Sequence, residues 1–295
     1  MTYANHMKNL LFTILLVSSL TAFSQVRMYT GFLGNNPIQL VTYTYSDGDT
    51  RAIYAYDNND TPIVINGRNY GDSLVLIEYC DSGKATLQFP QYETNHDNLT
   101  GTWISSDSKT QRDITATKTN EVDYYDSTSF DTLELMQPSS MKNEYFKLLI
   151  GKVEDQEMKV IGVRIYQKKT DKLLQELSLN DCQFWGLENI NVDDYNFDGI
   201  DDFSVFESSY AGPNTSRIYI LRDKKTGNFF VSEISGTSLE FDKNEKRIYE
   251  HNQCCAGRSH MYATYKLVKN KMVLIKQSCL EYDDETEDFK ETKCE

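Results

Sequence analysis

Histidine is scarce in this chain: there are four, and only His96, His251 and His260 lie beyond the first two dozen residues. None of the three has the spacing of a zinc site, and no Gly-x-Ser-x-Gly elbow accompanies them, so the common hydrolase constellations have no footing. Positive charge is also short, with 30 Lys and Arg against 44 Asp and Glu and a formal net charge of −14. Nucleic acid and anionic membranes both require a basic face, and this balance argues against either as a partner. After the leader no apolar run approaches the roughly 20 residues of a membrane-spanning helix. There is no Cys-x-x-Cys pair, which turns the cysteines away from thiolate metal centres. Carboxylates are plentiful, but in so acidic a chain no pair stands out as the two acids of a glycosidase. The expectation is a protein that is not an enzyme.

What is present begins with a leader. Lys8 supplies a positive charge, Leu10 to Leu20 form an apolar stretch, and Ala22 and Ser24 place small residues before a cut ahead of Gln25. That order predicts a secretory signal peptide over 1–24, with Met7 an alternative start, and a periplasmic or secreted protein. In such a compartment Cys80, Cys182, Cys254, Cys255, Cys279 and Cys294 can pair, and their even number permits full pairing. Adjacent Cys254 and Cys255 are expected to take different partners, with at least one of Cys279 and Cys294 joining one of them.

The fold class is all-β. The chain has 20 Tyr and 14 Phe, many in short alternating runs, and these residues favour strands. Over 25–118, strands are expected at Pro37–Tyr45, Thr50–Tyr56, Ser73–Cys80, Lys84–Phe89 and Leu99–Ile104. Turns such as Asn66-Gly67 and Asp81-Ser82-Gly83 separate them, giving an N-terminal antiparallel β module: sheet, sandwich or small barrel. From 119 to 142 polar residues dominate, which reads as a linker or a long surface connection, with Leu133, Leu135 and Met136 suited to one short strand or helical turn. Over 143–295 the β pattern resumes, from Tyr145–Ile150 to Met272–Ile275, and predicts a β-propeller-like or β-sandwich domain ending in a charged edge or tail tied down by Cys294.

The sharpest motif is Asp193-Asp194-Tyr195-Asn196-Phe197-Asp198-Gly199-Ile200-Asp201-Asp202. Oxygen donors at alternate positions suit a hard cation, and a glycine permits the tight turn. Asp194, Asn196 and Asp198, the carbonyl of Ile200, and Asp202 form the expected ligand set. An EF-hand would need an acid at the twelfth position, which is Val205. Alternating Ile190 and Val192 before the loop, and Phe203 and Val205 after it, make this a strand–loop–strand site. Ca2+ is the expected ion, because Mg2+ demands a more rigid octahedron.

This loop resembles the calcium loops of FG-GAP and VCBS-type β-propeller repeats. Together with Tyr219-Ile220-Leu221, Glu240-Phe241-Asp242 and Cys254-Cys255-Ala256-Gly257, the second segment resembles periplasmic, calcium-binding, β-propeller-like proteins that include immunity proteins against lysozyme-like effectors. Tyr29-x-Gly31, Pro37-Ile38 and Leu99-x-Gly101-x-Trp103 resemble a β module of periplasmic proteins. Members of the immunity type are often lipoproteins, and this chain departs from them in having no cysteine after the expected cut. The resemblance implies a protein that inserts a loop into the cleft of a lysozyme-like peptidoglycan hydrolase, and the net charge of −14 is compatible with another basic protein as partner. The candidate loop is Ser208–Asn214, with Ser209, Tyr210, Gly212 and Asn214 as partner-binding residues. The competing expectation is a calcium-stabilised surface or glycan-binding module.

Overall fold

The structure is a computed structural model and describes residues 25–57, 61–81, 83–123 and 127–294; the expected signal peptide lies outside the described residues. Strands dominate, in four antiparallel assemblies.

The first assembly is a closed barrel of β1 (Gln25–Leu33), β2 (Asn36–Thr44), β3 (Asp49–Tyr56), β4 (Ile63–Asn69), β5 (Leu74–Cys80), β6 (Gly83–Phe89), β7 (Asn98–Ile104) and β8 (Gln111–Asp123). Each strand pairs with the next, and β8 returns to pair with β1 from Leu33↔Ile114 to Gln25↔Asp123. Side chains alternate across a strand, so one set fills the barrel: Tyr29, Leu33, Leu40, Tyr54, Ile65, Leu76, Phe89 and Ile114 are all buried there. Among the alternatives left open by the sequence, the module is the small barrel.

Two expectations are corrected here. Asn66-Gly67 is not a turn but the middle of β4, where Gly67 lets two strands approach; a Cβ there would lie 1.8 Å from the Val75 carbonyl oxygen. Nor is 119–142 a linker. Strand β8 runs on to Asp123, and β9 (Phe130–Ser140) is an edge strand, which accounts for both its polar sequence and its Pro138.

Strand β9 joins β10 (Glu144–Lys152), β11 (Lys159–Gln167) and β12 (Lys172–Gln183) in a four-stranded meander. A second meander follows: β13 (Ile190–Asp193), β14 (Asp202–Ser209), β15 (Thr215–Arg222) and β16 (Phe229–Val231). The third has five strands: β17 (Leu239–Asp242), β18 (Arg247–Cys254), β19 (Ser259–Val268), β20 (Lys271–Asp283) and β21 (Asp288–Thr292). The expected charged tail is thus partly strand β21.

The barrel and the first two meanders share one core. Val26, Met28, Val41, Tyr43 and Ile53 point out of the barrel and pack with Phe146, Leu148, Val163, Phe203, Val205 and Ile220. Strands β1 to β3 are therefore apolar on both faces near this contact, where simple alternation breaks down. A smaller core of Tyr195, Tyr219, Leu221, Ile234 and Ile248 joins the second and third meanders.

One barrel end is closed by polar chemistry. Tyr92, on the β6–β7 connection, is buried and shares a 2.7 Å hydrogen bond with Thr42. Arg27 lies over its ring at 4.9 Å and pairs with Glu93 at 2.7 Å and Glu121 at 3.0 Å. Burial opposes the guanidinium charge, but these carboxylates and Tyr92 outweigh it and hold Arg27 above its ordinary value.

Candidate functional site

Strand β13 ends at Asp193 and β14 starts at Asp202, so the acidic motif is the connection between two paired strands, as its flanks predict. Phe197 and Gly199 take positive φ, 61° and 85°, and bend the chain back on itself. Side-chain oxygens hold that bend. Asp194 Oδ1 and Oδ2 accept the N–H groups of Asp198 (2.9 Å) and Gly199 (2.8 Å), and Asp198 Oδ1 accepts that of Ile200 (2.9 Å). Asn196 Oδ1 also accepts the N–H of Asp198, at 3.1 Å.

Asp202 is fully buried, and its two oxygens accept the N–H groups of Arg222 (2.8 Å) and Tyr195 (3.1 Å). Burial, with Asp198 and Asp194 adding to it, raises its carboxyl to about 6 against the pull of those N–H groups. Tyr195 seals the inner side through a 2.8 Å bond to Ser204 and edge-on contacts with Tyr219 and Phe241. Lysines cover the outside: Lys224 Nζ donates to the Asp198 carbonyl at 2.7 Å and lies 3.6 Å from its carboxylate, and Lys243 pairs with Asp193.

The donor set is all oxygen and suits a hard cation. Among the described residues, however, no three acidic, histidine or cysteine side chains lie close enough together to hold an ion.

The candidate partner loop is the hairpin joining β14 to β15, closed by the Tyr210 N–H on the Asn214 carbonyl at 2.9 Å. Asn214 is buried at its base. Its Nδ2 donates to Asn252 Oδ1 (2.9 Å) and the Gln253 carbonyl (2.7 Å), and its Oδ1 accepts the Gln253 N–H (3.2 Å). Gly212, at φ 75°, makes the tip, and the Ser209 N–H is held by Gln183 Oε1 at 2.8 Å. Tyr210 is 51% exposed.

The metal and partner-binding residues do not form one site. They lie at opposite ends of β14, about 25 Å apart at the usual rise per residue.

Trp185 was not among the candidate residues read from the sequence. This residue is 57% exposed and packs on Phe206 at 4.9 Å. Its ring partner Phe206 lies on β14 three residues before Ser209, whose N–H is held by Gln183.

The third meander carries a separate cluster. His251 stacks on its cross-strand partner Tyr262 at 4.5 Å, and His251 Nε2 lies 3.0 Å from His260 Nδ1. Cys279 is bonded to Cys294, with Cα atoms 5.3 Å apart. The expected link from this pair to Cys254 or Cys255 is therefore corrected; β21 folds back along β20 and delivers Cys294 to its neighbour. Cys254 and Cys255 are both exposed, with Sγ atoms 2.7 Å apart, and Cys254 pushes the Cys255 thiol up.

No protein-family model matches the chain, and no curated protein matches it. A crystal structure of a protein from Lactobacillus plantarum aligns over 91% of this chain and 95% of its own at 10% identity, with a TM-score of 0.32, too low to support any argument. Among the described residues no helix is long and apolar enough to cross a membrane.

Proposed function

We propose that the chain is a periplasmic or secreted, calcium-stabilised binding protein without catalytic activity, and that it inhibits a lysozyme-like peptidoglycan hydrolase through the Ser209–Asn214 hairpin. In this reading the three successive meanders are propeller-like blades, and Asp194, Asn196, Asp198, the Ile200 carbonyl and Asp202 hold Ca2+.

The observation that carries the proposal is the presentation of Tyr210: an exposed aromatic on a hairpin whose base, Asn214, is buried and bonded three times to β18. A ring held this way loses little freedom on binding, and buried aromatics are the usual anchors of protein interfaces. Trp185 supplies a second anchor beside it. A net charge of −14 favours encounter with a basic partner, and enzymes that act on anionic cell walls are commonly basic. Calcium, about 25 Å away along β14, acts on the stability of the second meander rather than on the hairpin itself.

The test is inhibition of a panel of lysozyme-like hydrolases by the purified protein with calcium present. Tyr210→Ala and Trp185→Ala should each weaken inhibition at least tenfold while leaving the melting temperature unchanged. Full hydrolase activity at micromolar excess of the protein, across several hydrolase families, would remove the inhibitor reading. Retention on insoluble glycan under those conditions would favour the surface-module alternative.

A further inference from the structure

The turn between β18 and β19 combines three observations that no part of the proposed binding function uses. Its two adjacent cysteines bring their Sγ atoms to 2.7 Å, and both are exposed. Cys255, Ala256 and Gly257 have successive positive φ values of 58°, 55° and 79°, following an extended Cys254. The hairpin on either side is tightly registered: Cys254 pairs with Ser259, the Arg258 N–H donates to the Cys255 carbonyl at 3.2 Å, and His260 Nε2 donates to the Gly257 carbonyl at 3.0 Å. Two consecutive side-chain-bearing residues in the left-handed region are an unfavourable arrangement that persists only where surroundings impose it, and such outliers gather at functional sites.

We propose that Cys254 and Cys255 are a redox site that closes into a disulfide between adjacent residues. The co-reactant is a small-molecule or protein disulfide. One cysteine thiolate attacks it and releases one thiol, forming a mixed disulfide. The second cysteine then attacks the mixed disulfide and releases the other thiol. One S–S bond forms in the protein, one breaks in the oxidant, and two electrons and two protons pass to the departing thiols.

The adjacent pair is unlike Cys279–Cys294. Consecutive Cα atoms are held about 3.8 Å apart by the peptide bond, below the roughly 4.4–6.8 Å that disulfides prefer. Cys279 and Cys294, at 5.3 Å, fall within that range. A bridge outside the preferred range is strained, and strained, exposed bridges are the labile ones. The chain therefore carries one structural bridge and one that responds to redox conditions. The labile one sits next to Gln253, whose backbone holds the hairpin base through Asn214.

The test is peptide mapping of the full protein, equilibrated with oxidised glutathione, denatured and alkylated without reduction. The tryptic peptide Ile248–Arg258 should be unlabelled and two hydrogens lighter than its dithiol form, and should take two labels after reduction. In Cys254→Ser, Cys255 should be open to labelling or to a mixed disulfide with glutathione, while the Cys279–Cys294 bridge persists and reports an intact fold. On stepwise reduction of the wild type, the Cys254–Cys255 bridge should open before Cys279–Cys294. Two labels without reduction, a bridge from either cysteine to another peptide, or the reverse order of opening would overturn the proposal.

Discussion

At Asp202 two demands meet in one carboxylate. Its oxygens satisfy the N–H groups of Tyr195 and Arg222, and the same group is the last expected cation ligand. Asp202→Ala should therefore destabilise the protein with or without calcium. It orphans two N–H groups at about 1–3 kcal/mol for each buried group left unpaired, seen as a lower urea midpoint. Glu134 offers a contrasting carboxylate. Burial opposes its charge, but Arg164, Tyr166 and Lys147 outweigh this and hold it below the usual range. A lowered folded value means that its stabilisation is fully present above the ordinary carboxylate range and is lost as pH falls through the folded value. Glu134→Gln should flatten the acid limb of a melting-temperature profile below about pH 5 and leave the neutral region little altered in slope. An unchanged acid limb would show that Glu134 carries no such linkage.

Among the elements, Gly67 shows what sequence could and could not reveal. An Asn-Gly pair is a strong turn signal, yet here the glycine is needed because β5 passes too close for a side chain. Gly67→Ala should cost about 1–3 kcal/mol by overpacking, read as a lower denaturant midpoint. A neutral substitution would mean that the barrel relaxes there. Where β-branched and aromatic residues are concentrated between turn residues, the strands were legible: Pro37–Tyr45, Thr50–Tyr56 and Leu99–Ile104 match β2, β3 and β7 within a residue at either end. Strands β9 and β21 were obscured because edge strands carry polar and charged residues. That Asp194–Asp202 connects two strands was legible because alternating apolar residues flank it and Gly199 marks the bend.

For the whole molecule, barrel closure depends on pairing β1 with β8, and its outer face depends on side chains from two later meanders. Neither relation leaves a local pattern, so the sequence suggested separable segments where the structure has a shared core. Charge, by contrast, was fully legible. If association with a basic hydrolase is steered by the net charge of −14, its rate should fall steeply with added salt, while Tyr210→Ala should act mainly on dissociation. A salt-independent on-rate would exclude steering. Calcium stabilisation is the other half of the proposal, and calorimetric titration of Ca2+ into chelator-treated protein tests it most directly. The predicted result is saturable binding that raises the melting temperature, worth about 2.7 kcal/mol when the ion is at a hundred times its dissociation constant, with both effects abolished in Asp198→Ala. No binding heat and no thermal shift in the wild-type protein would contradict it.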